Sequence, residues 1–190
     1  MNIITGTARG TKLKTLDGEA TRPTLQRAKE VIFSAIQFDI EGRRVLDLFA
    51  GSGQLGLEAL SRGAEHAVLV DNSPEAFEVI KENAQKTHLY KNCRIVDSDY
   101  ARYLLSAKRS GATFDLVFLD PPYDSGYLVP ALKALYNNGL LSENAEVIAE
   151  WERDSLLDDE RSLCDMYGLV KLYKSGRIYF YRLKPINREV

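Results

Sequence analysis

From residue 44 onward, short apolar runs alternate with amphipathic ones, and this alternation restricts the possible folds more than any other feature. In order the chain reads "RVLDLF", "QLGLEALSRG", "HAVLVD", "PEAFEVIKENAQKT", "CRIVD", "YARYLLSAKRSG", "FDLVFLD", "YLVPALKALYNNG" and "AEVIAEWE". The short runs read as strands apolar on both faces, and the intervening stretches read as helices. Strands joined through helices run parallel, and helices then cover both faces of the sheet. The helix ends agree: Ser73-Pro74 supplies an N-cap and a first-turn proline, while Gly63 and Gly139 stand where helices close. After residue 167 the alternation stops. "GLVKLYKSGRIYFYRL" holds two β-prone runs around Lys174-Ser175-Gly176, a hairpin signal. Ahead of the alternation come strand-like "NIIT" and "KLKTL", then "TLQRAKEVIFSAIQ", which places Ala28, Val31, Ile32, Ala35 and Ile36 on one helical face.

A chain of 190 residues that is 45% hydrophobic and 9% aromatic can build one packed core. It reads as one domain over 1–190, with an N-terminal extension over 1–40 and a core over 41–190. No apolar run approaches the roughly 18 residues of a membrane span, and the N-terminal "MNIITGTARGTKLK" has no apolar leader segment, so a cytoplasmic protein is expected. Cys93 and Cys164 stand far apart, and His66 and His88 lack metal-ligand spacing, so neither a disulfide framework nor a metal site is expected. The net charge of -2 does not advertise a nucleic-acid binder, but its distribution is uneven. Arg9, Lys12, Lys14, Arg22, Arg27 and Lys29 outnumber the acids of the first thirty residues, whereas Glu150 to Arg161 is mainly acidic. Such a surface can present a basic face, although a solvated mixture of charges has the same composition.

"DLFAGSGQLG" follows the first strand and opens a helix. Gly51, Gly53 and Gly56 have the G-x-G-x-x-G spacing, and Asp71 ends the next strand. Taken alone, this pattern suits a dinucleotide, whose ribose hydroxyls would donate to the acid. It suits S-adenosylmethionine equally, which presents the same ribose without a pyrophosphate. The glycine pattern cannot separate the two ligands.

"VFLDPPY" can. Asp120 ends the fourth alternating strand, so it should lie beside the glycine loop of the first. Hydride transfer has no evident use for Asp120, Pro121, Pro122 and Tyr123 together, whereas methyl transfer to an exocyclic amine does. The nitrogen of a conjugated NH2 is planar and a poor nucleophile. Two acceptors on its two N–H groups, the Asp120 carboxylate and a backbone carbonyl fixed by the prolines, can pull it toward tetrahedral geometry. Tyr123 can stack on the ring that carries the amine. The bland reading is that prolines merely end a strand.

"DLFAGSGQLGLEAL", "VLVDNS" and "VFLDPPY", in that order, resemble the class I S-adenosylmethionine-dependent methyltransferases of exocyclic amines. "GTARGTKL" and "RPTLQRAKEVIF" extend the likeness over nearly the whole chain to the RsmD family, the bacterial 16S rRNA (guanine-N2)-methyltransferases. The resemblance implies a Rossmann-like class I methyltransferase fold: a mostly parallel seven-stranded sheet with an antiparallel C-terminal hairpin and a short N-terminal β/α extension. It implies S-adenosylmethionine held by Asp47, Gly51, Ser52, Gly53, Asp71, Asn72, Asp99 and Tyr100, under a cover that includes Arg22 and Thr24. Asp97 competes with Asp99 for the adenine amine. RNA contact falls to Arg9, Lys12, Lys14 and Arg27, with 16S rRNA or an assembling small subunit as partner and a monomer as the default. Three readings compete: the same chemistry on adenine N6 of DNA or RNA, a nicotinamide dehydrogenase, and a non-catalytic RNA-binding assembly factor.

Overall fold

The computed structural model describes residues 1–16, 23–122 and 125–186, with the side chains of 23–26 and 28 left out. Helix α1 (Pro23–Ala35) leads into β1 (Arg44–Asp47), α2 (Gln54–Ser61), β2 (His66–Asp71), α3 (Pro74–Lys86), β3 (Cys93–Asp97), α4 (Tyr100–Arg109), β4 (Phe114–Leu119), α5 (Leu128–Asn137) and β5 (Leu141–Trp151). A short helix α6 (Leu156–Asp159) precedes the hairpin of β6 (Tyr167–Ser175) and β7 (Ile178–Pro185). The seven strands stand in the order β3-β2-β1-β4-β5-β7-β6, with β1 to β5 parallel and β7 antiparallel to both neighbours. This is the expected sheet.

Each face of the sheet carries its own core. One packs Ile32 and Phe33 of α1, Ile36 just beyond it, Leu57 and Leu60 of α2 and Ile80 of α3 against Val45, Leu69 and Phe118. The other packs Tyr103 and Leu104 of α4 and Leu128 and Leu132 of α5 against Leu46, Val70 and Val117. Adjacent strand residues such as Val45 and Leu46 point to opposite faces, so both are buried, and the strands read as continuous apolar runs. The caps follow the sequence. Ser73 Oγ accepts from Ala76 N at 3.3 Å, and Gly63 and Gly139 take φ of +99° and +65° just past their helices.

Three local details differ from the sequence reading. β5 begins at Leu141 rather than near Ala145, its register against β4 shifting between Phe114 and Leu116. The acidic stretch after Trp151 folds into α6 and a single 3-10 turn at Arg161–Leu163, held by the buried apolar side chains of Leu156 and Leu163. The N-terminal segments make one antiparallel bridge, Asn2 with Lys12, instead of two strands. Other backbone N–H groups of these segments bond to side chains of α2: Ile4 N and Thr5 N donate to the Glu58 carboxylate at 2.8 and 3.0 Å, and Ala8 N donates to Ser61 Oγ at 3.0 Å.

Candidate active site

Strand order reverses between β1 and β4: the chain leaves β1 toward β2 on one side and leaves β4 toward β5 on the other. At such a switch point the connections diverge and open a crevice beyond the strands' carboxyl ends. A cavity of about 430 Å³ lies there, reaching from Gly51 and Ser52 after β1 to Asp120, Pro121 and Pro122 after β4. The stretch that ends β4 and the glycine loop are therefore walls of one cavity.

The loop is held by a set of short hydrogen bonds. Leu48 N donates to Phe118 O (3.2 Å) and Ala50 N to Val70 O (2.9 Å), which ties the chain to the strands on either side. Gly51 N donates to Asp71 Oδ2 at 2.9 Å, and Ser73 N donates to Asp71 Oδ1 at 3.0 Å. Both Asp71 oxygens are thus engaged, but a carboxylate oxygen has two lone pairs, so each keeps one for a ligand hydroxyl. Below the loop, Asp47 is 1% exposed and accepts from Gly56 N at 2.9 Å. A Cβ at Gly56 would stand 2.8 Å from Leu69 Cγ, so this glycine lets α2 lie close on β2. Asn83 of α3 is fully buried and donates from Nδ2 to both Ser52 O and Lys14 O at 2.9 Å.

Asp71, Asn72, Asp99 and Tyr100 all line the cavity. Asp99 also caps α4, its Oδ1 accepting from Ala101 N (2.9 Å) and Arg102 N (3.2 Å), while Asp97 pairs across the strands with Asp71 and is not part of the wall. Of the two, only Asp99 is on the cavity wall. Asp47 and Gly53, expected at the cofactor, are not among the residues that line this cavity. Asp47 holds the start of α2 from beneath, and Gly53, in the left-handed region at φ +80°, turns toward Leu69 and Ile80. Arg22 and Tyr123 lie outside the described residues; Thr24 falls in the first turn of α1, its side chain undescribed.

The basic residues are scattered. Arg9 follows the turn bonded to Ser61, at the opposite end of α2 from the cavity, on the order of 10 Å along that helix. Lys12 is exposed, and Lys14 pairs with Glu82 at 2.7 Å. Arg27 is exposed on α1 beside a second groove. Lys29, counted with the basic face, is 3% exposed, packed 3.3 Å from the fully buried Glu58, and lines the cavity. Burial holds its ammonium below the ordinary lysine value, and Glu58 partly offsets this.

Among the wall residues that sequence reasoning missed, Phe49, Tyr127, Lys29 and Glu150 bear most on the chemistry. Phe49, Tyr100 and Tyr127 form a closed aromatic set, with centroids 5.4 Å (Phe49–Tyr100), 5.1 Å (Tyr100–Tyr127) and 6.2 Å (Phe49–Tyr127) apart, the last pair near parallel at 9°. Burial, and next the Asp99 charge, raise the Tyr100 phenol above its usual value and keep it neutral. Glu150 carried a readable signal, a carboxylate breaking the apolar run near the end of the strand beside β4. Phe49 and Tyr127 come from separate loops, and only the fold brings them together.

A sheet in this order, with a glycine loop after β1 and a strand-end acid on β2, is the class I methyltransferase fold. The chain belongs to the family described as "Conserved hypothetical protein 95", whose model matches residues 1–181. Among its relatives, the Bacillus subtilis "Putative rRNA methyltransferase YlbH" is 40% identical over 92% of this chain and 98% of its own. "Ribosomal RNA small subunit methyltransferase D" of Escherichia coli strain K12 is 36% identical over 80% of this chain and 75% of its own. A solved structure, "Putative methyltransferase yhhF from Escherichia coli", superposes with a TM-score of 0.84 at 30% identity, covering 99% of both chains.

Proposed function

We propose that this protein transfers a methyl group from S-adenosylmethionine to the exocyclic N2 amine of a guanine in 16S rRNA of the small ribosomal subunit. The observation that carries the reading is the meeting of Asp120-Pro121-Pro122 with Gly51, Ser52 and Asp71 on one cavity. The names of the relatives and the RsmD-like motifs at both ends of the chain support the choice of rRNA over other amines.

The residues fit the cofactor. Asp71 offers lone pairs to ribose hydroxyls, Asp99 an acceptor to an adenine amine, and Phe49, Tyr100 and Tyr127 an aromatic wall for a flat heterocycle. When bound, S-adenosylmethionine supplies a methyl group on a positively charged sulfur. The chain's own task is then orientation. Asp120 accepts one N–H of the target amine, and a backbone carbonyl of the Pro121–Pro122 run accepts the other. Together they aim the nitrogen lone pair along the line of transfer. A guanine stacked in RNA must first leave its stack to reach them.

Mapping of N2-methylguanines in 16S rRNA tests this. A strain lacking the gene should lose one such methyl group; the wild-type gene should restore it and the Asp120→Ala gene should not. An unchanged methylation map in the deletion strain would overturn the proposal.

A further inference from the structure

The C-terminal hairpin carries five basic and no acidic side chains from Tyr167 to Pro185, directly after the acidic stretch. Two of the five are committed to structure. Arg182 meets Glu146 through Nε and Nη2 at 2.8 Å each and Asp39 at 2.8 Å, and Lys184 lies 3.5 Å from Glu146. Lys171, Lys174 and Arg177 are exposed, and among the described residues none of them makes a salt bridge.

Register places these three. Trp151, at the carboxyl end of β5, pairs with Tyr179, so the hairpin's tip lies at the same edge of the sheet as Asp120. Tyr173 pairs with Phe180, which lines the active-site cavity. Lys171 and Tyr173, two residues apart, share the face that α1 covers, with the Lys171 ammonium 5.5 Å from the Tyr173 ring centroid. Lys174 points to the other face, over Tyr179 at 5.0 Å. On α1, Lys29 and Ile32 line the cavity, whereas Arg27, Glu30, Val31 and Ser34 face a groove shared with Lys171, Tyr173 and Arg182. One helix therefore walls the cavity on one side and a cationic, aromatic groove on the other. With Arg182 neutralised, Glu30 is opposed by two cations in the groove and by Arg177 at the tip.

We propose that this groove holds the phosphodiester backbone of the substrate RNA, with Arg27, Lys171 and Tyr173 on its walls and Arg177 on the turn of the hairpin that lines it. The inference rests on the RNA reading above. From Lys171 to Ser175 the strand spans about 13 Å, enough for successive phosphates of one strand. Lysines on an edge strand also discourage sheet-to-sheet pairing, but that role is indifferent to which face they occupy and leaves Arg27, on a helix, unexplained.

Binding of 16S rRNA transcripts across a series of KCl concentrations tests the groove, with S-adenosylhomocysteine affinity as a check on folding. Arg27→Ala/Lys171→Ala/Arg177→Ala should make the slope of log K against log salt shallower by about 2, from about 0.7 per lost single-strand phosphate contact. Lys174→Ala, the same kind of charge change on the opposite face, should keep the wild-type slope, as should Arg9→Ala at the far end of α2. The charge-preserving Arg27→Lys/Lys171→Arg/Arg177→Lys protein should also keep it, and all variants should bind S-adenosylhomocysteine as wild type does. Wild-type RNA binding with an unchanged slope in the triple alanine variant overturns the groove alone, and so does flattening confined to Arg9→Ala. A wild-type protein with no affinity for the transcript overturns the proposed function along with it.

Discussion

Asp120 and Asp71 are both strand-end carboxylates on one cavity, yet removing them should affect different measurements. If Asp120 accepts a hydrogen bond that strengthens as the amine attacks, Asp120→Ala should slow single-turnover methylation by about 10²- to 10³-fold. Cofactor affinity should change far less. A turnover rate within threefold of wild type would remove Asp120 from the chemistry. Asp71 already accepts from Gly51 N and Ser73 N, so Asp71→Ala removes the loop's anchor together with the acceptor proposed for the cofactor's ribose. The loss in S-adenosylhomocysteine affinity should be about 1.5–3 kcal/mol, the range for a hydrogen bond to a charged group. Calorimetry on a variant whose melting temperature is unchanged reads that loss directly.

At the scale of elements, the N-terminal segment is attached to α2 by close backbone approach rather than by strand pairing. Gly6 and Gly10 have nearly the same left-handed backbone, φ +88° and +83°, but their surroundings differ completely. A Cβ at Gly6 would fall 1.7 Å from Ser61 O, whereas one at Gly10 would meet nothing within 4 Å. Gly10→Ala should therefore cost only the left-handed strain of about 1–2 kcal/mol. Gly6→Ala should cost clearly more, because Thr7 N to Ser61 O (2.8 Å) and the Glu58 bonds to Ile4 and Thr5 must also give way. Urea midpoints of the two variants compare them, and equal values would show that the segment is not docked through Gly6.

Across the whole molecule, the two strands that open the cavity at their carboxyl ends are clamped at their amino ends. Arg44 donates to Asp115 through Nε and Nη2 at 2.9 and 2.8 Å, and its backbone N–H adds a third bond at 2.9 Å. The Arg44 hydrogen bonds hold the Asp115 carboxyl well below the usual carboxylate range, burial opposing them. A depressed folded-state pKa means that the unfolded chain binds the proton first as pH falls. The stabilisation is therefore fully present above the unfolded value of about 3.9 and drains away as pH drops toward the folded one. Denaturation of wild type and Asp115→Asn should show a stability gap that is constant above about pH 5 and narrows progressively as pH falls below about 4. A pH-independent gap would mean that the clamp acts by packing and not by charge.

The sequence by itself determined the sheet, because strands buried on both faces and helices capped by Ser73, Gly63 and Gly139 are local patterns that every residue in them supports. It also placed Asp120 opposite the glycine loop, since parallel order and strand ends follow from the alternation itself. Tertiary structure alone decided which side chains face the cavity. Asp47 and Asp71 are both strand-end acids in sequence, yet one is buried beneath α2 while the other lies on the wall. Lys29 reads as a surface cation until Glu58, from another helix, makes its burial tolerable. Phe49, Tyr100 and Tyr127 become one aromatic wall only when two loops and the start of α4 converge. Arg9 and Arg27 look alike in the chain, but docking onto Ser61 carries the first to the far end of α2, while α1 places the second on the groove shared with the C-terminal hairpin. Local periodicity fixes which face of an element is apolar; what a polar side chain meets depends on elements far away in sequence, which no local pattern records.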